Sequence, residues 1–457
     1  MSNGIEEVRV SRRKLLRGAA GVAGSVAAGS LFGPELAAAI PRRRMAGATT
    51  VTLMTNNGEI SNADIAAFED KNPNINIQWI VTDGPRFQAM LAAGAPPDLF
   101  RVQAPLVPQF AKRGQIKNLD SYFAQSDLIH PSDLTPANNY YKFDGKTVGK
   151  GARYGMVKDW SPDLTVFVRT DLLKGVKVHI PGPTDAWTYD DLWEISLKLK
   201  KAKKAKWILD VANSLGWIDR QVMALLAAKG AKPLYSADYL KMNLTKNPAA
   251  MQIFQHLFRY SQHKMDLGPE NPNPDGWSGP GFVKGSVAMT QYGFWFSGQV
   301  STDKTATANS RLLVAPTWKG AKNVDPTVTA TGWVMANATK HPDEAWTVFE
   351  WYMGGKPARD RAGGGWGVPA QQSLFDRIPQ QNAFQKNAYK TLIHELPRSN
   401  VTLKFDPNLI GLNDLTAVAQ SYAKHLPDAV KGSLSFSKFM SNVEADTNRA
   451  IEAGKNG

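Results

Sequence analysis

Several of the 13 tryptophans stand in loops instead of apolar runs. Trp160 lies in Lys-Asp-Trp-Ser-Pro, Trp277 in Asp-Gly-Trp-Ser-Gly, Trp333 in Thr-Gly-Trp-Val and Trp366 in Gly-Gly-Gly-Trp-Gly, while Trp217 and Trp295 are close to glycines. A loop indole offers a flat apolar face. The C–H face of a sugar ring can lie on it while Asp, Asn, Gln and Arg take the hydroxyls, and ligand pockets combine apolar walls with a few polar groups in this way. For any single ring the structural alternative is a plug between core and loop, since Trp is highly buried on average. As a set, the loop tryptophans point to a binding surface.

Signatures of catalysis are scarce by comparison. The chain has no Gly-x-Ser-x-Gly elbow, Walker loop, dinucleotide glycine fingerprint or His-Glu-x-x-His. Its 7 histidines are scattered. His256 and His263 could share a helix face, but two turns apart they are too distant for one metal, so both read as surface or core histidines. The pair Asp190-Asp191 falls at a helix start, where the helix dipole accounts for it. Nothing calls for a metal or a cofactor. With 0 cysteines, disulfides, thiolate metal sites, a cysteine nucleophile and a lipid-modified cysteine are all excluded.

A chain of 457 residues predicts more than one domain. Hydrophobic residues at 43% and charged residues at 21% are the balance of a globular protein. The net charge of +14 is partly a property of the N-terminus. Residues 1–48 hold 8 basic and 3 acidic side chains, and the remainder keeps a charge of +9. Residues 11–17 read Ser-Arg-Arg-Lys-Leu-Leu-Arg; a Gly/Ala-rich apolar run to Phe32 and the cleavage-like Ala37-Ala38-Ala39 follow. This is a charged region, an apolar region and a small-residue cut site. The arginine pair Arg12-Arg13 resembles a twin-arginine (Tat) signal, so export through the Tat machinery to the periplasm or the exterior is expected. Cleavage is expected after Ala39 or, at a second possible site, after Ala48.

The rest of the chain alternates strand and helix signals. Val51–Thr55, Asn76–Ile80 and Asp98–Val102 read as strands, separated by a helix opened by Ser61-Asn-Ala-Asp64 and another around Phe87–Ala93. This spacing indicates an α/β layer with a largely parallel sheet. Leu164–Val168 reads as a buried strand. Thr188, Asn247-Pro248 and Pro342 open further helices. The run Lys198–Lys206 is strongly basic; lysines complement the carbonyl end of the helix there, and a solvated face is the expected reading.

Together these segments resemble the extracellular solute-binding proteins of ABC importers, in particular the large sugar-binding group. The resemblance runs in order through Val51–Met54, Ala67–Ile77, Leu91–Phe100, Thr165–Leu173, Thr184–Leu192, Phe282–Met289 with Gly293 and Trp295, Lys340–Trp346 and Gly365–Pro369. The Leu91–Phe100 segment, Leu-Ala-Ala-Gly-Ala-Pro-Pro-Asp-Leu-Phe, is the most specific. Arg169 departs from the pattern by standing where the family usually has Asn. The resemblance implies an α/β, two-lobed periplasmic-binding-protein-like fold (type II) with the ligand cleft between lobes. It implies residues 49–158 plus about 300–350 in one lobe and 159–299 plus about 351–457 in the other. It further implies a monomer that captures a carbohydrate by hinge closure and delivers it to ABC permease subunits. By position in the family pattern, the cleft residues are Asn56, Asn57, Gln103, Trp160, Asp163, Trp217, Tyr292, Trp295, Trp333, Arg361 and Trp366. Such a protein needs no catalytic residues.

Two other readings compete. An exported polysaccharide lyase would suit the basic surface and loop aromatics, but needs a Tyr/His/Arg constellation that the sequence does not display. The same fold could bind a polyamine, a phosphodiester or a metal; few acids near the candidate loops argue against a polyamine.

Overall fold

A computed structural model describes residues 47–210, 218–236, 240–268, 270–272, 275, 277–321, 324–327, 330–399 and 417–454. The proposed signal segment and Trp217 therefore lie outside the described residues. Thirteen described strands fall in chain order at β1 Thr49–Thr55, β2 Ile75–Val81, β3 Leu99–Gln103, β4 Lys142–Phe143, β5 Ala152–Arg153, β6 Gly155–Val157, β7 Asp159–Trp160, β8 Val166–Arg169, β9 Trp207–Asp210, β10 Val287–Gln291, β11 Ser310–Leu313, β12 Thr331–Met335 and β13 Val368–Pro369.

Two sheets organise the molecule. The first has the order β2-β1-β3-β12-β6, the second β11-β8-β10-β9. In the first, β1 pairs in parallel with β2 and β3, and β12 runs antiparallel to β3 and β6. In the second, β10 is parallel to β9, and β8 is antiparallel to both β10 and β11. The expected α/β class is therefore present twice.

Local chemistry sets the helix starts. Ser61 and Asp64 form the reciprocal capping box expected before the helix Asn62–Glu69, and Thr188 with Asp191 does the same for Tyr189–Lys201. Asn247 caps Pro248–Gln262, whose Ile253, Phe254, Leu257 and Phe258 face the second core. The helix Pro342–Gly354 buries Ala345, Val348, Phe349 and Tyr352 against the first.

The chain crosses between sheets at their carboxyl edges. Val157 ends β6 in the first sheet and Val166 starts β8 in the second. The return runs from Leu313, at the end of β11, to Thr331, at the start of β12. The second sheet thus keeps the chain until Leu313, later than the expected boundary near 300, because β11 pairs with β8 along its full length. A third link is the ribbon β7–β13, in which Trp160 faces Val368. Beyond it, the helix Ala383–Glu395 packs on the second lobe, where Thr391 Oγ1 donates to the Leu312 carbonyl at 3.1 Å.

Arg169 finds a complete set of partners. Its Nε and Nη2 donate to the Asp171 carboxylate at 3.0 and 2.8 Å, and Nη1 donates to the carbonyls of Phe282 and Val283. The guanidinium therefore pins the end of β8 to the turn before β10, a task a shorter Asn side chain could not span. His256, read as a core or surface histidine, is buried, edge-on to Tyr189 and Trp318. Burial, aided by the Arg259 charge, lowers its pKa to about 3.

Candidate ligand cleft

The carboxyl ends of parallel strands are where open α/β sheets place ligands. In the first lobe this edge holds Thr55 at the end of β1, Gln103 at the end of β3, Val157 at the end of β6 and Thr331 at the start of β12. In the second it holds Asp210 at the end of β9 and Gln291 at the end of β10. Both crossings leave from these edges, so the two edges face one another across the hinge segments.

The first edge carries a compact charge cluster. Glu59 Oε1 lies 3.0 Å from Arg101 Nε and 3.3 Å from Lys158 Nζ, and Lys158 also pairs with Asp159. The four side chains are only 10–15% exposed. Arg101 reaches Thr331 Oγ1 at 3.4 Å, and Tyr352 donates its hydroxyl to the Glu59 carbonyl at 2.9 Å. Burial by itself would raise the Glu59 pKa; Lys158 and Arg101, with the Thr55 hydroxyl, outweigh it and hold the carboxyl at about 2. Because the folded pKa lies below that of an unfolded glutamate, this stabilisation is complete above about pH 5 and is lost as pH falls towards 2. Glu59→Gln is expected to lower stability at neutral pH by roughly 2–3 kcal/mol and to flatten the acid limb of the stability curve. Chemical unfolding at a series of pH values reads both; an unchanged acid limb would remove Glu59 from this role.

Behind the cluster stands a stacked column. Trp333 and Tyr352 lie 3.8 Å apart at 5°, and the Arg361 guanidinium sits 4.3 Å from the other ring partner's centroid, that of Tyr352. Trp333 is fully buried and donates from Nε1 to Thr55 Oγ1 at 3.3 Å. It forms part of the wall and presents no free face in this conformation. Arg361 Nη2 donates to the Tyr352 carbonyl, while its Nε and Nη1 are buried without a hydrogen-bond partner among the described residues. Asn56 and Asn57 sit beside Glu59 in the turn after β1; Asn57 is exposed and Asn56 half-buried. Gln103 is buried at the end of β3.

The second edge is aromatic. Tyr292 donates its hydroxyl to Asp210 Oδ2 at 2.6 Å and accepts from Ser278 Oγ at 2.7 Å. Trp295 lies 5.1 Å from Tyr292, and Trp277 stacks on Trp295 at 6.1 Å and 29°. Both tryptophans are half-buried. Asp163 accepts from Ser161 Oγ at 2.9 Å, and both pack so close to Gly293 that a Cβ there would meet Oδ1 and Oγ at 2.1 Å. Gly293 is therefore required for the aromatic turn to reach the hinge.

The hinge itself holds two candidates. Trp160 is buried, donates from Nε1 to the Pro369 carbonyl at 3.3 Å, and borders a cavity of about 80 Å³ with Tyr140 and Thr327. Trp366, half-buried, lies flat on Gly298, where a Cβ would meet the ring at 2.3 Å. It thus follows a helix of the first lobe and covers the helix Phe296–Val300 of the second.

The structure brings Asn56, Asn57, Gln103, Trp333 and Arg361 to one side, Asp163, Tyr292 and Trp295 to the other, and Trp160 and Trp366 between. Trp277 carries the loop signal of the other tryptophans in its Asp-Gly-Trp-Ser-Gly context, but the cleft set implied by the family resemblance does not contain it. That set also lacks Glu59, Arg101, Lys158, Asp159 and Asp210, which are acid and base residues dispersed along the chain until the edges assemble. Among the described residues no group of three or more His, Asp and Glu is placed to hold a metal, and no helix is long and apolar enough to cross a membrane.

Similar solved structures share this architecture. An ABC substrate-binding protein of Listeria monocytogenes, solved with cycloalternan, is 18% identical, covers 89% of this chain and 99% of its own, and has a TM-score of 0.72. The GacH receptor of Streptomyces glaucescens, solved unliganded and with acarbose, is 16% identical over 89% of this chain and 99% of its own, with a TM-score of 0.68. An ABC transporter-associated binding protein of B. animalis subsp. lactis, solved with β-1,6-galactobiose, is 17% identical over 90% and 98%, with a TM-score of 0.69. These likenesses establish the two-lobed periplasmic-binding-protein fold. A family model described as bacterial extracellular solute-binding protein matches residues 52–354, about two thirds of the sequence, and the chain belongs to that family.

Proposed function

We propose that this protein captures a carbohydrate between its two lobes outside the cytoplasm and delivers it to the permease of an ABC importer. The observation that carries this reading is the pairing of the two edges. Half-buried Trp295 and Trp277 on one side offer faces for sugar rings, and the Glu59–Arg101–Lys158–Asp159 cluster with Arg361 on the other offers hydroxyl partners. The sugars bound by the similar proteins support the same ligand class. The ligand-contacting set is nine of the eleven residues named from the sequence, with Trp277 added; the other two, Trp333 and Trp160, are buried and act by shaping the walls. The work is binding and closure, without catalysis, and the protein acts as a monomer.

Capture requires contacts with both lobes at once, since a ligand shifts a two-state protein only through contacts it makes better in one state. A thermal-shift panel containing cycloalternan, acarbose and β-1,6-galactobiose, with mono- and oligosaccharides and uronic acids, tests the ligand class, because a ligand of the native state raises its melting point by mass action. A rise with at least one sugar is expected. A melting point unmoved by every sugar and raised by a polyamine or a phosphodiester would overturn the assignment.

The Arg12-Arg13 pair carries the proposal of Tat export. Replacing both with Lys is expected to leave the precursor in the cytoplasm, as read by fractionation; unchanged export would refute that route.

A further inference from the structure

The lysines between 198 and 206 are not absorbed by the cleft. They precede β9, at the end of the second sheet opposite Asp210 and Gln291, and so lie on the far side of that lobe from the ligand. Six stand in this stretch: Lys198, Lys200, Lys201, Lys203, Lys204 and Lys206. All but Lys204 are exposed, and Lys204 is half-exposed.

Other segments bring more lysine to the same end. Lys198 Nζ donates to the Lys177 carbonyl at 3.4 Å, and Lys204 Nζ lies 4.0 Å from where a Cβ on Gly175 would sit. This joins Lys174 and Lys177, both exposed, to the patch. Lys200 donates to the His263 carbonyl, which brings in Lys264. Trp207 N–H donates to the Ser286 carbonyl at 3.0 Å, which brings in Lys284. Among the described residues only Lys284 of this set forms an ion pair, with Asp275 at 3.3 Å. The nearby Asp171 is engaged by Arg169.

Two features show more than a solvated helix end. Lys203 and Lys264 each follow a helix C-cap with φ of 50°, the left-handed region that glycine enters freely and other residues enter at a conformational cost. At the same position after four other described helices the chain has glycine: Gly94, Gly114, Gly230 and Gly285. Lysine is thus kept at two adjoining helix ends where the uncharged residue used elsewhere would fit better. The cations of this set are all lysine, while nearby Arg169 is buried and turned inward and Arg259 is half-buried over Trp193; Arg311 is the exposed arginine at this end. Compact, hydrated ammonium groups suit diffuse attraction to many anions more than a bidentate grip on one.

We propose that this lysine face docks the protein on an anionic phospholipid bilayer, leaving the cleft clear of lipid. Its charges fan over four loops around the end of a sheet, with half-buried Leu172, Val176, Val178 and Leu197 among them. That layout matches a planar surface more closely than a polymer strand, which would need a track. The proposal is independent of the ligand in the cleft.

Co-sedimentation of the processed protein with vesicles of phosphatidylcholine containing phosphatidylglycerol, against phosphatidylcholine alone, tests it at low ionic strength. Binding to the anionic vesicles and release by salt are expected. Lys200→Glu, Lys203→Glu, Lys204→Glu and Lys264→Glu together are expected to weaken binding at least ~10-fold. Reversing Lys71, Lys112, Lys146 and Lys340, around the first lobe, is expected to weaken it far less. The milder pair Lys203→Gly with Lys264→Gly removes two charges while relieving the backbone; it is expected to bind several-fold more weakly and melt no lower. No preference for anionic vesicles, equal losses from the two four-site reversals, or capture of soluble polyphosphate with vesicles ignored would each overturn the proposal.

Discussion

Trp333→Ala is expected to cost about 3–5 kcal/mol of stability, the range for deleting a large aromatic from a packed interior. The residue sits mid-strand in β12, between Arg101 of β3 and Met156 of β6. Its ring is fully buried, stacked 3.8 Å from Tyr352 and tied to Thr55 through Nε1. Truncation empties that layer and leaves the Thr55 hydroxyl without its indole donor. It also removes the support on which Tyr352, and through it Arg361, is held at the cleft edge. Chemical unfolding checks the cost, and Trp333→Phe, which keeps a ring in the stack, should recover a good part of it. A loss below about 1 kcal/mol in Trp333→Ala would mean that the wall repacks and that the column is not rigid.

Trp295→Ala is expected to do the reverse, sparing the fold and weakening carbohydrate binding by about 2 kcal/mol or more, as at a hot spot. The ring is half-buried at the turn after β10, so its loss leaves little cavity, while its neighbours Tyr292 and Trp277 complete an aromatic platform. Trp277→Ala should behave in the same direction. Titration of each variant by tryptophan fluorescence, with the sugar found by thermal shift, reads the loss; unchanged affinity in both would assign this aromatic cluster to packing alone.

The two tryptophans illustrate what a sequence carries. Both follow glycine within one or two residues, and both read as loop aromatics. Trp295 does stand at a turn, but Trp333 lies inside Thr331–Met335, a strand paired on both sides. The strand partners are more than 170 residues away for β6 and more than 220 for β3, so the burial of Trp333 is a tertiary fact. Signals that act within one turn of chain were legible. The Ser61/Asp64 and Thr188/Asp191 boxes, the Asn247 cap and the Pro342 start all form as expected, because each is completed by residues three or four apart. The α/β layering followed from the same short-range alternation, and the two lobes from the ordered family segments.

The charged half of the site was not legible in this way. Glu59, Arg101 and Lys158 become a cluster only when β1, β3 and β6 line up through β12. Few acids near the candidate loops were expected; the assembled edges hold Glu59, Asp159, Asp163 and Asp210. Those acids are engaged by Lys158, Arg101, Ser161 and Tyr292, so their presence in the cleft does not by itself favour a cationic ligand.

Capture of a sugar requires that the two lobes close on it. Small-angle scattering of the protein without ligand and with the identified sugar at saturation measures it most directly. A smaller radius of gyration is expected at saturation, with the change abolished in a Trp295→Ala, Trp277→Ala double variant that no longer binds. A radius of gyration unchanged while fluorescence reports full occupancy would contradict closure.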